Sequence, residues 1–354
     1  MNDVLKSKKI LFCSHEIGNQ MQLMAEGLRD LGYHATAATY NAEWYGYKND
    51  INLDLHLEKN KIKRHLKEII FTLFSFYNYD IFHYHFGSSL YGIRSLPHMD
   101  MPIFRKFGKK LFMHYRGSDI IDKNYYERFK INNRQGPVSF DSKSIHRLSK
   151  KKLKIVKNNC NDIFVSTPNM IDLIDSSILI PQIIKMNNNQ IINSRIINDN
   201  EPIKIVHAPT DRNVKGTKII LNGIERLKDE GFNIDLNIVE NTPPNEVIKL
   251  FNNAHFGIDQ LFSGWYGKVS IELMNLSKPV FCFINDNYRK YLDDSLPIIN
   301  VNKNNFVDRI RYYISRPKEL HSIGKLGRSF VEKNHSQAFI AHKLIKQYRN
   351  ALIK

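Results

Sequence analysis

Cysteine is scarce in this chain of 354 residues, which contains only Cys13, Cys160 and Cys282. No two of them have the spacing of a metal or redox motif, so this odd, scattered set argues against a disulfide framework and indicates a reducing compartment. Long apolar runs are also missing. The longest, at residues 69–77, is about half of the roughly 20 residues that a membrane-spanning helix needs. The first nine residues do not resemble a secretory signal, and we therefore expect a cytoplasmic protein.

Acidic residues are too few to balance the basic ones. The chain has 52 Lys and Arg against 35 Asp and Glu, which gives a net charge of +17 at neutral pH. Such a charge attracts nucleic acid, anionic lipid headgroups or a phosphorylated substrate, and it does not distinguish among them. Because no nucleic-acid-reading module or aromatic stacking platform accompanies the charge, we expect no nucleic-acid partner.

Signatures of cofactor and metal chemistry are missing as well. The chain has neither the G-x-G-x-x-G fingerprint of a dinucleotide cofactor nor the G-x-S-x-G elbow of a serine hydrolase. It has no Asp-x-Asp pair suited to a divalent ion on a diphosphate, and its histidines are scattered along the sequence. We therefore expect no cofactor and no metal.

What the sequence does contain is a repeating alternation of short apolar runs and helical patterns. In the first half, a strand at 9–13, a helix at 20–31 that ends at Gly32, and a strand at 35–40 form a βαβ unit, which predicts a parallel sheet. Further strands are predicted at 81–85, 110–114 and 162–166. An Asn-rich stretch at 187–200 is the best candidate for a linker.

The alternation restarts after this stretch. Strands are predicted at 203–207, 234–239, 256–259 and 279–284, and helices at 217–230, 244–253 and 269–276. Two such halves predict an α/β protein of two Rossmann-like domains that face each other across a cleft. In sheets of this kind, ligands bind beyond the carboxyl ends of the strands.

Two loops in the second half carry candidate chemistry. At 262–274 a turn containing Gly267 leads into a helix whose first backbone N–H groups can bind phosphate, and Glu272, one turn inside it, can accept hydrogen bonds from ribose hydroxyls. At 206–217, Arg212 and Lys215 follow a strand, where two cations suit a diphosphate. The alternatives are a tight turn with a solvated Glu, and two solvated surface cations.

Together these segments resemble the family 4 glycosyltransferases. The resemblance rests on Ala208-Pro209, Arg212, Lys215-Gly216-Thr217, Asp259-Gln260, residues 264–272 and Lys278-Pro279-Val280. It covers nearly the whole chain, is strongest at 203–280, and implies a retaining, metal-independent enzyme of the GT-B fold that uses a nucleotide-sugar.

The resemblance also implies roles for single residues. Arg212 and Lys215 match the basic pair that neutralises the donor diphosphate, and Glu272 matches the glutamate that holds the ribose. The turn whose amides meet the phosphate corresponds to Gly267, Lys268 and Val269. Gly264 stands where the family usually has a glutamate that contacts the donor sugar, a contact for which Asp259 or Gln260 could substitute.

In the first half, the resemblance assigns an active-site histidine to His85. It implies a strand-end loop with substrate contacts at His114, Arg116, Ser118 and Asp119. Gly18 lies in the first loop, where the family's backbone approaches the diphosphate closely. For His83 and His114, a histidine at the sheet edge whose hydrogen bonds are satisfied is the alternative, and we favour it for His83.

Two basic stretches remain. The first contains Lys59, Lys61, Lys63, Arg64 and Lys67 and runs into apolar and aromatic residues at 69–76; the second lies at 143–157. The first stretch predicts either an interfacial helix at an anionic membrane or a solvated helix that leads into the core.

We therefore predict a retaining glycosyltransferase that moves a sugar from a UDP- or GDP-linked donor to a saccharide or lipid-linked acceptor in bacterial surface polysaccharide or glycolipid synthesis. We expect it in the cytoplasm, peripheral to the inner face of the cell membrane. The predicted domains are an acceptor domain at 1–185, a donor domain at 186–334, and a last helix at 335–354 that crosses back to the first. The alternatives are a GT-B nucleotide-sugar epimerase and a basic nucleic-acid-binding protein.

Overall fold

The computed structural model describes residues 3–41, 46–93, 95–117, 119–120, 150–186, 195–198, 201–292 and 296–353. These residues form two compact units. Unit 1 contains the described residues of 1–122, 145–185 and 336–354, and unit 2 contains those of 186–335. Most of the predicted linker, at 187–194 and 199–200, lies outside the described residues.

Unit 1 is built on a seven-stranded sheet in the order β3-β2-β1-β4-β5-β6-β7, in which each neighbouring pair is parallel. The strands are β1 Lys9–Cys13, β2 His34–Thr39, β3 Ile51–Asn52, β4 Ile81–His85, β5 Lys110–Tyr115, β6 Asp162–Val165 and β7 Ile178–Leu179. The central strands are buried along nearly their whole length, which explains why they read as continuous apolar runs.

The helices of unit 1 cover this sheet. They are α1 Gln20–Asp30, α2 Lys61–Asn78, α3 Asp100–Lys106, α4 Lys150–Asn159 and α11 Gln337–Ile353. Helix α11, the last of the chain, shares a buried apolar core with α1 and the sheet. Gly27 allows the close approach of these two helices, because a Cβ atom there would lie 2.9 Å from the carbonyl oxygen of Gln337.

Unit 2 is built on a five-stranded parallel sheet in the order β12-β11-β10-β8-β9. Its strands are β8 Ile203–His207, β9 Ile234–Ile238, β10 Phe256–Ile258, β11 Val280–Cys282 and β12 Ile299–Asn300. Its helices are α5 Arg212–Lys215, α6 Thr217–Asp229, α7 Pro244–Asn253, α8 Lys268–Asn275, α9 Phe306–Ile314 and α10 Pro317–His335.

Two glycines fix the position of α8, the helix that follows the glycine-containing turn. A Cβ atom on Gly257 of β10 would lie 2.2 Å from the Leu273 side chain, so only glycine lets α8 pack this closely on the sheet. A Cβ atom on Gly324 of α10 would lie 2.3 Å from the carbonyl oxygen of Ser277. Helix α8 is therefore held between β10 and α10.

The predicted fold class is confirmed, since both units are α/β with parallel sheets. The predicted strands and helices agree with the observed ones to within one or two residues. The strands that the sequence did not reveal, β3, β7 and β12, have only two residues each. Within the described residues, we find no helix with the length and apolar character to cross a membrane.

Candidate functional site

The two loops singled out in the second half meet at one buried carboxylate. Asp259 follows β10 and is fully buried. Its Oδ1 lies 2.5 Å from the Nζ of Lys215, at the end of α5. Its Oδ2 accepts hydrogen bonds from the backbone N–H of Gly267 (3.0 Å) and the hydroxyl of Ser270 (2.6 Å), at the start of α8. One side chain thus fixes the basic loop and the glycine turn relative to each other.

The electrostatics of Asp259 keep it ionised. Burial raises its pKa, but the charge of Lys215 and the hydrogen bonds from Lys215, Ser270 and Gly267 outweigh burial, and the net pKa lies below the usual value. Lys215 donates to Asp259 in a fixed geometry and its side chain is 14% exposed. An ammonium group has three N–H donors. Asp259 therefore positions Lys215 without consuming its capacity to bind an anion.

The start of α8 lies next to this ammonium group. A Cβ atom on Gly267 would lie 3.8 Å from the Nζ of Lys215. Gly267, which precedes α8, supplies no capping side chain. The residues at this turn, Gly267, Lys268 and Val269, are half-buried. A lysine beside an N-terminal helix turn combines a full positive charge with the helix dipole, which is an arrangement suited to a phosphate group.

Arg212 is held by a partner that the sequence did not reveal. Its guanidinium makes two hydrogen bonds to Glu240, which follows β9, with Nε–Oε1 at 2.9 Å and Nη2–Oε2 at 2.6 Å. This pairing raises the pKa of Arg212 and lowers that of Glu240. The Arg212 side chain is 57% exposed. An anionic ligand at Arg212 would therefore compete with the Glu240 carboxylate.

Glu272 lies one turn inside α8, as predicted. Its Oε1 is 3.5 Å from the Nζ of Lys268, four residues earlier on the same helix. The two side chains are 23% and 31% exposed, respectively. The Glu272 carboxylate is thus half-buried near the start of α8, where it can accept hydrogen bonds from a ligand.

Gly264 stands where the family 4 glycosyltransferases usually have a glutamate, and its backbone conformation explains the glycine. Its φ is +73°, in the left-handed region that favours glycine, and a glutamate in this conformation would be strained. The neighbouring Gln260 is buried, and its amide is used within the loop. Its Oε1 accepts from the backbone N–H of Phe262 and Ser263, and its Nε2 donates to backbone carbonyls that include Phe283. Gln260 therefore shapes the loop, and its amide is not available to substitute for the family's glutamate.

In unit 1, strand pairing gathers histidines that are scattered in the sequence. His83 and His85 lie on the same side of β4, and His85 is paired with His114 of β5. All three are buried, and one ring nitrogen from each lies within 4.8 Å of the corresponding nitrogens of the other two. These three histidines are therefore separated in the sequence but adjacent in the fold. The signal was present in the His-x-His spacing of β4, but the third histidine depends on the register of two strands.

These histidines form a hydrogen-bonded network. His83 Nδ1 lies 2.5 Å from the hydroxyl of Tyr348 on α11, and His83 Nε2 lies 3.2 Å from His114 Nδ1. His114 Nε2 lies 3.3 Å from the hydroxyl of Ser166, after β6. His83 thus connects the last helix to the sheet, which agrees with the structural role that we favoured for it.

Burial, reinforced by the charge of Arg116, holds the pKa of all three histidines well below the usual value, so they are neutral at pH 7. Arg116 is itself buried, and burial lowers its pKa to about 9, which leaves it charged. Its Nη2 lies 3.3 Å from His85 Nδ1. Neutral imidazoles can bind a metal, but this guanidinium opposes a divalent cation at the cluster.

Arg116 also sets the tautomer of His85. A guanidinium can only donate, so His85 Nδ1 accepts and Nε2 carries the ring proton. His85 Nε2 is buried and has no hydrogen-bond partner among the described residues. Leaving a buried donor unpaired carries a free-energy cost of about 1–3 kcal/mol. His85 lies at the carboxyl end of β4, the end of the sheet beyond which ligands bind in folds of this kind.

Three predicted residues of unit 1 remain, namely Asp119, Gly18 and Ser118. The carboxylate of Asp119 accepts from the backbone N–H of Arg116 and Gly117, and burial raises its pKa to about 6. Gly18 has a φ of +62° in the loop before α1. Ser118 lies outside the described residues.

Neither the scan against protein families nor the search of curated sequences finds a match for the chain. Solved structures do match. Sucrose-phosphate synthase from Thermosynechococcus elongatus is 16% identical with a TM-score of 0.62 over 97% of this chain and 98% of that one. Anabaena HepE, in complex with UDP and glucose, is 9% identical with a TM-score of 0.58 over 97% and 100%. WaaG, a glycosyltransferase of lipopolysaccharide biosynthesis, is 12% identical with a TM-score of 0.55 over 95% and 98%.

The chain has the GT-B fold. The structural similarity establishes the fold, but sequence identities this low do not establish the activity. The same fold occurs in a putative UDP-N-acetylglucosamine 2-epimerase from Listeria monocytogenes, which is 10% identical with a TM-score of 0.53 over 98% of this chain and 97% of that one. The GT-B fold by itself therefore does not separate sugar transfer from epimerisation.

Sequence reasoning missed several residues of this GT-B protein that support the predicted ones. Ser270 binds Asp259, Glu240 binds Arg212, and Ser166 binds both Arg116 and His114. Buried Glu16 accepts hydrogen bonds from the first N–H groups of α1, including that of Gln20 (2.7 Å). The contacts of Glu16 are local, whereas those of Ser270, Glu240 and Ser166 join residues whose pairing cannot be read from a local motif.

Proposed function

We propose that this GT-B protein is a glycosyltransferase that moves a sugar from a nucleotide-sugar, linked to UDP or GDP, onto a saccharide or lipid-linked acceptor, with retention of the anomeric configuration. The observation that carries the proposal is the Asp259 carboxylate, which holds the ammonium of Lys215 beside the start of α8. This arrangement suits a diphosphate, which is the leaving group that a nucleotide-sugar provides.

The donor diphosphate is the centre of the proposed chemistry. When the bond between the anomeric carbon and the diphosphate breaks, negative charge grows on the departing oxygen. Lys215 and the first amides of α8 stabilise this charge, which is usually the largest catalytic contribution. Arg212 joins them by exchanging the Glu240 carboxylate for a phosphate. These groups supply the positive charge that a metal supplies in other enzymes, so we propose transfer without a metal.

Glu272 is the proposed ligand of the donor ribose. Glu272 belongs to α8, whose first turn is the proposed phosphate site, so one helix would bind both the ribose and the diphosphate. The ammonium of Lys268 orients this carboxylate. The nucleotide base is not assigned, although the complex of HepE with UDP and glucose makes UDP the first donor to test.

Unit 1 is the proposed acceptor unit. The Nε2–H of His85 is a buried donor whose tautomer is set by Arg116, and a hydroxyl or carbonyl oxygen of a sugar would satisfy it. The neighbour WaaG acts in lipopolysaccharide biosynthesis, which favours a role in the synthesis of a surface polysaccharide or glycolipid. A lipid-linked acceptor would bring the protein to the inner face of the cell membrane.

Epimerisation of a nucleotide-sugar is the second candidate, since a putative epimerase shares the fold. Incubation of UDP- and GDP-sugars with and without acceptor extracts separates the two activities. Transfer requires an acceptor and releases free UDP or GDP together with a product of retained configuration. A changed donor sugar in the absence of any acceptor would establish epimerisation and contradict the transferase proposal.

A further inference from the structure

An apolar stripe of α2 is left uncovered in unit 1. Helix α2 packs on the unit through Phe71, Thr72 and Ser75, which are buried. Ile62 and Tyr77, near its two ends, are 79% and 80% exposed. The large exposed apolar side chains of α2 are Ile62, Leu66, Ile70, Leu73, Phe74 and Tyr77. A helix that folds only to complete the core would place these side chains inside.

The six side chains form one surface. At 3.6 residues per turn they fall within an arc of about 120°, on the side of the helix opposite the packed residues. At 1.5 Å per residue the stripe is roughly 22 Å long. Monomeric proteins rarely expose a contiguous apolar surface of this kind, which usually marks a site of interaction.

Helix α3 extends the stripe. Ile103 and Phe107, at 52% and 64% exposure, are uncovered there. The ring of Phe76 on α2 joins the two helices, since its centroid lies 5.3 Å from that of Phe107 and 5.2 Å from that of Tyr77. We call the six stripe residues together with Ile103 and Phe107 the α2–α3 face.

Cations border this face, whereas acidic groups are few. The basic residues of the two helices are Lys61, Lys63, Arg64, Lys67, Arg105 and Lys106. The acidic residues of the same helices are Glu68 and Asp100, and Asp100 is buried. Lys67 is paired with Glu58, at 3.3 Å. By the same helical spacing, Lys63 and Lys67 lie within or beside the stripe and Lys106 lies beside Ile103, whereas Lys61, Arg64 and Arg105 project to other sides. The cations that border the α2–α3 face are therefore Lys63, Lys67 and Lys106.

The position of these cations opposes helix stability. Four of them lie in the first two turns of α2, and no acidic residue lies in the first turn. Positive charge at a helix N-terminus is unfavourable because it meets the positive end of the helix dipole. The side chain of Asn60 caps the helix, with hydrogen bonds from the N–H groups of Ile62 (2.9 Å) and Lys63 (3.2 Å). The cations are thus better explained by an anionic partner than by the fold.

We propose that the α2–α3 face binds an anionic lipid bilayer, with the apolar stripe in the upper acyl region and the bordering lysines at the headgroups. A long apolar surface that is bordered by lysines and carries aromatic side chains is typical of an interfacial helix. Tyr77 and Phe107 lie at the same end of the face, where aromatic rings suit the boundary between headgroups and acyl chains. The observed exposures also show which apolar side chains of α2 would insert into the bilayer. Helical spacing alone does not show which face of the helix is exposed.

The test is cosedimentation of the full chain with vesicles of phosphatidylcholine alone or mixed with phosphatidylglycerol. Binding is expected only with the anionic vesicles, and it weakens as salt shortens the Debye length from about 10 Å at 0.1 M. The charge variant Lys63→Gln/Lys67→Gln/Lys106→Gln should bind more weakly by about fivefold per cation, or on the order of 10² in total. The apolar variant Leu66→Gln/Ile70→Gln/Leu73→Gln should lose about tenfold or more.

Matched controls change the same residue types elsewhere. Lys218→Gln/Lys249→Gln/Lys325→Gln removes the same charge from exposed positions of unit 2, and Leu326→Gln/Ile353→Gln removes exposed apolar side chains from α10 and α11. Both control variants should bind vesicles as the parent does. If the charge control loses as much vesicle binding as the charge variant, net charge alone explains the binding and the proposal is wrong. Vesicle binding by the apolar variant at the level of the parent would also contradict the proposal.

A second copy of the chain is the rival occupant, and sedimentation velocity identifies it. A parent that dimerises, does not bind the anionic vesicles and becomes monomeric in the apolar variant would show that the face joins two copies, which contradicts the proposal. Vesicle binding requires no sugar transfer. Its outcome is therefore independent of whether the proposed transferase activity is found.

Discussion

The carboxylate of Asp259 and the ammonium of Lys215, 44 residues apart in the sequence, lie 2.5 Å from each other at the carboxyl end of the unit 2 sheet. The same carboxylate binds the start of α8 through Gly267 and Ser270. A single buried charge therefore sets the distance between a cation and a helix N-terminus. The proposed donor site depends on this relationship more than on any one ligand-binding side chain.

The first prediction concerns this pair. Asp259→Asn keeps the shape of the side chain but removes its charge, so Lys215 loses its fixed position. A double-mutant cycle of Asp259→Asn with Lys215→Met, measured by urea denaturation, should give a coupling free energy of about 1–3 kcal/mol. Effects that add within about 0.5 kcal/mol would show that the two residues do not support each other.

The second prediction concerns the exchange of partners at Arg212. Arg212→Ala should lower the rate of transfer by on the order of 10²–10³, by analogy with the loss of one donor that stabilises a developing negative charge. Glu240→Gln removes the competing carboxylate and should leave nucleotide affinity unchanged or raise it. Arg226→Ala, at an exposed arginine paired with Glu230, is the control and should be silent. A large loss of affinity in Glu240→Gln would show that Glu240 binds the ligand directly.

The third prediction concerns Gly264, which stands in place of the family's glutamate. Because its φ is +73°, Gly264→Glu should lower the free energy of unfolding by about 1–2 kcal/mol. The substitution should also fail to increase transfer, since the strained loop would not place the new carboxylate correctly. A stable variant with increased activity would show that the loop accepts the family's arrangement.

The fourth prediction follows from the neutral histidines. Burial lowers the pKa of His83, His85 and His114, whereas in the unfolded chain they take up protons below a pH of about 6.5. Their contribution to stability is therefore complete above this pH and declines as the pH falls, by up to about 1.4 kcal/mol per pH unit for each histidine. Asp100 and Asp119, with pKa values raised to about 6, act in the opposite direction between roughly pH 4 and 6.

A variant isolates the histidine contribution from that of the carboxyl groups. His83→Gln should make the decline in the free energy of unfolding between pH 7 and pH 5 shallower than in the parent. The exposed His342 provides the control, and His342→Gln should leave the slope unchanged. Equal slopes in the parent and in His83→Gln would mean that His83 is not held neutral by the fold.

The parts of this architecture that depend on local pattern could be predicted. The central strands are buried apolar runs, so the sequence predicts their positions. It also predicts the loops after them, including the loops that contain Arg212, Lys215 and Gly267. The parts that depend on pairing between distant segments could not. The Glu240 partner of Arg212 and the meeting of His83 with His114 require knowledge of which strands are neighbours.

Helix α2 shows a different limit. Its apolar residues predict an amphipathic helix, but the sequence does not say whether the wide apolar face points to the core or to the solvent. In the structure, Phe71 and Ser75 are buried whereas Ile70 and Phe74, each one residue earlier, are exposed. Successive side chains of a helix are rotated by about 100° about its axis, so neighbouring residues can be buried and exposed. The packing of α2 against the sheet decides which of them is buried.

The central claim is that unit 2 binds a nucleoside diphosphate through Lys215 and the start of α8 without a metal. Isothermal titration of UDP and GDP in excess EDTA tests it most directly, with the parent, Lys215→Ala and the exposed control Lys218→Ala. We predict that one nucleotide binds the parent and the control equally well and binds Lys215→Ala about tenfold or more weakly, since a charge-assisted contact is lost. Binding that requires added magnesium or manganese, or that is unchanged in Lys215→Ala, would contradict the account.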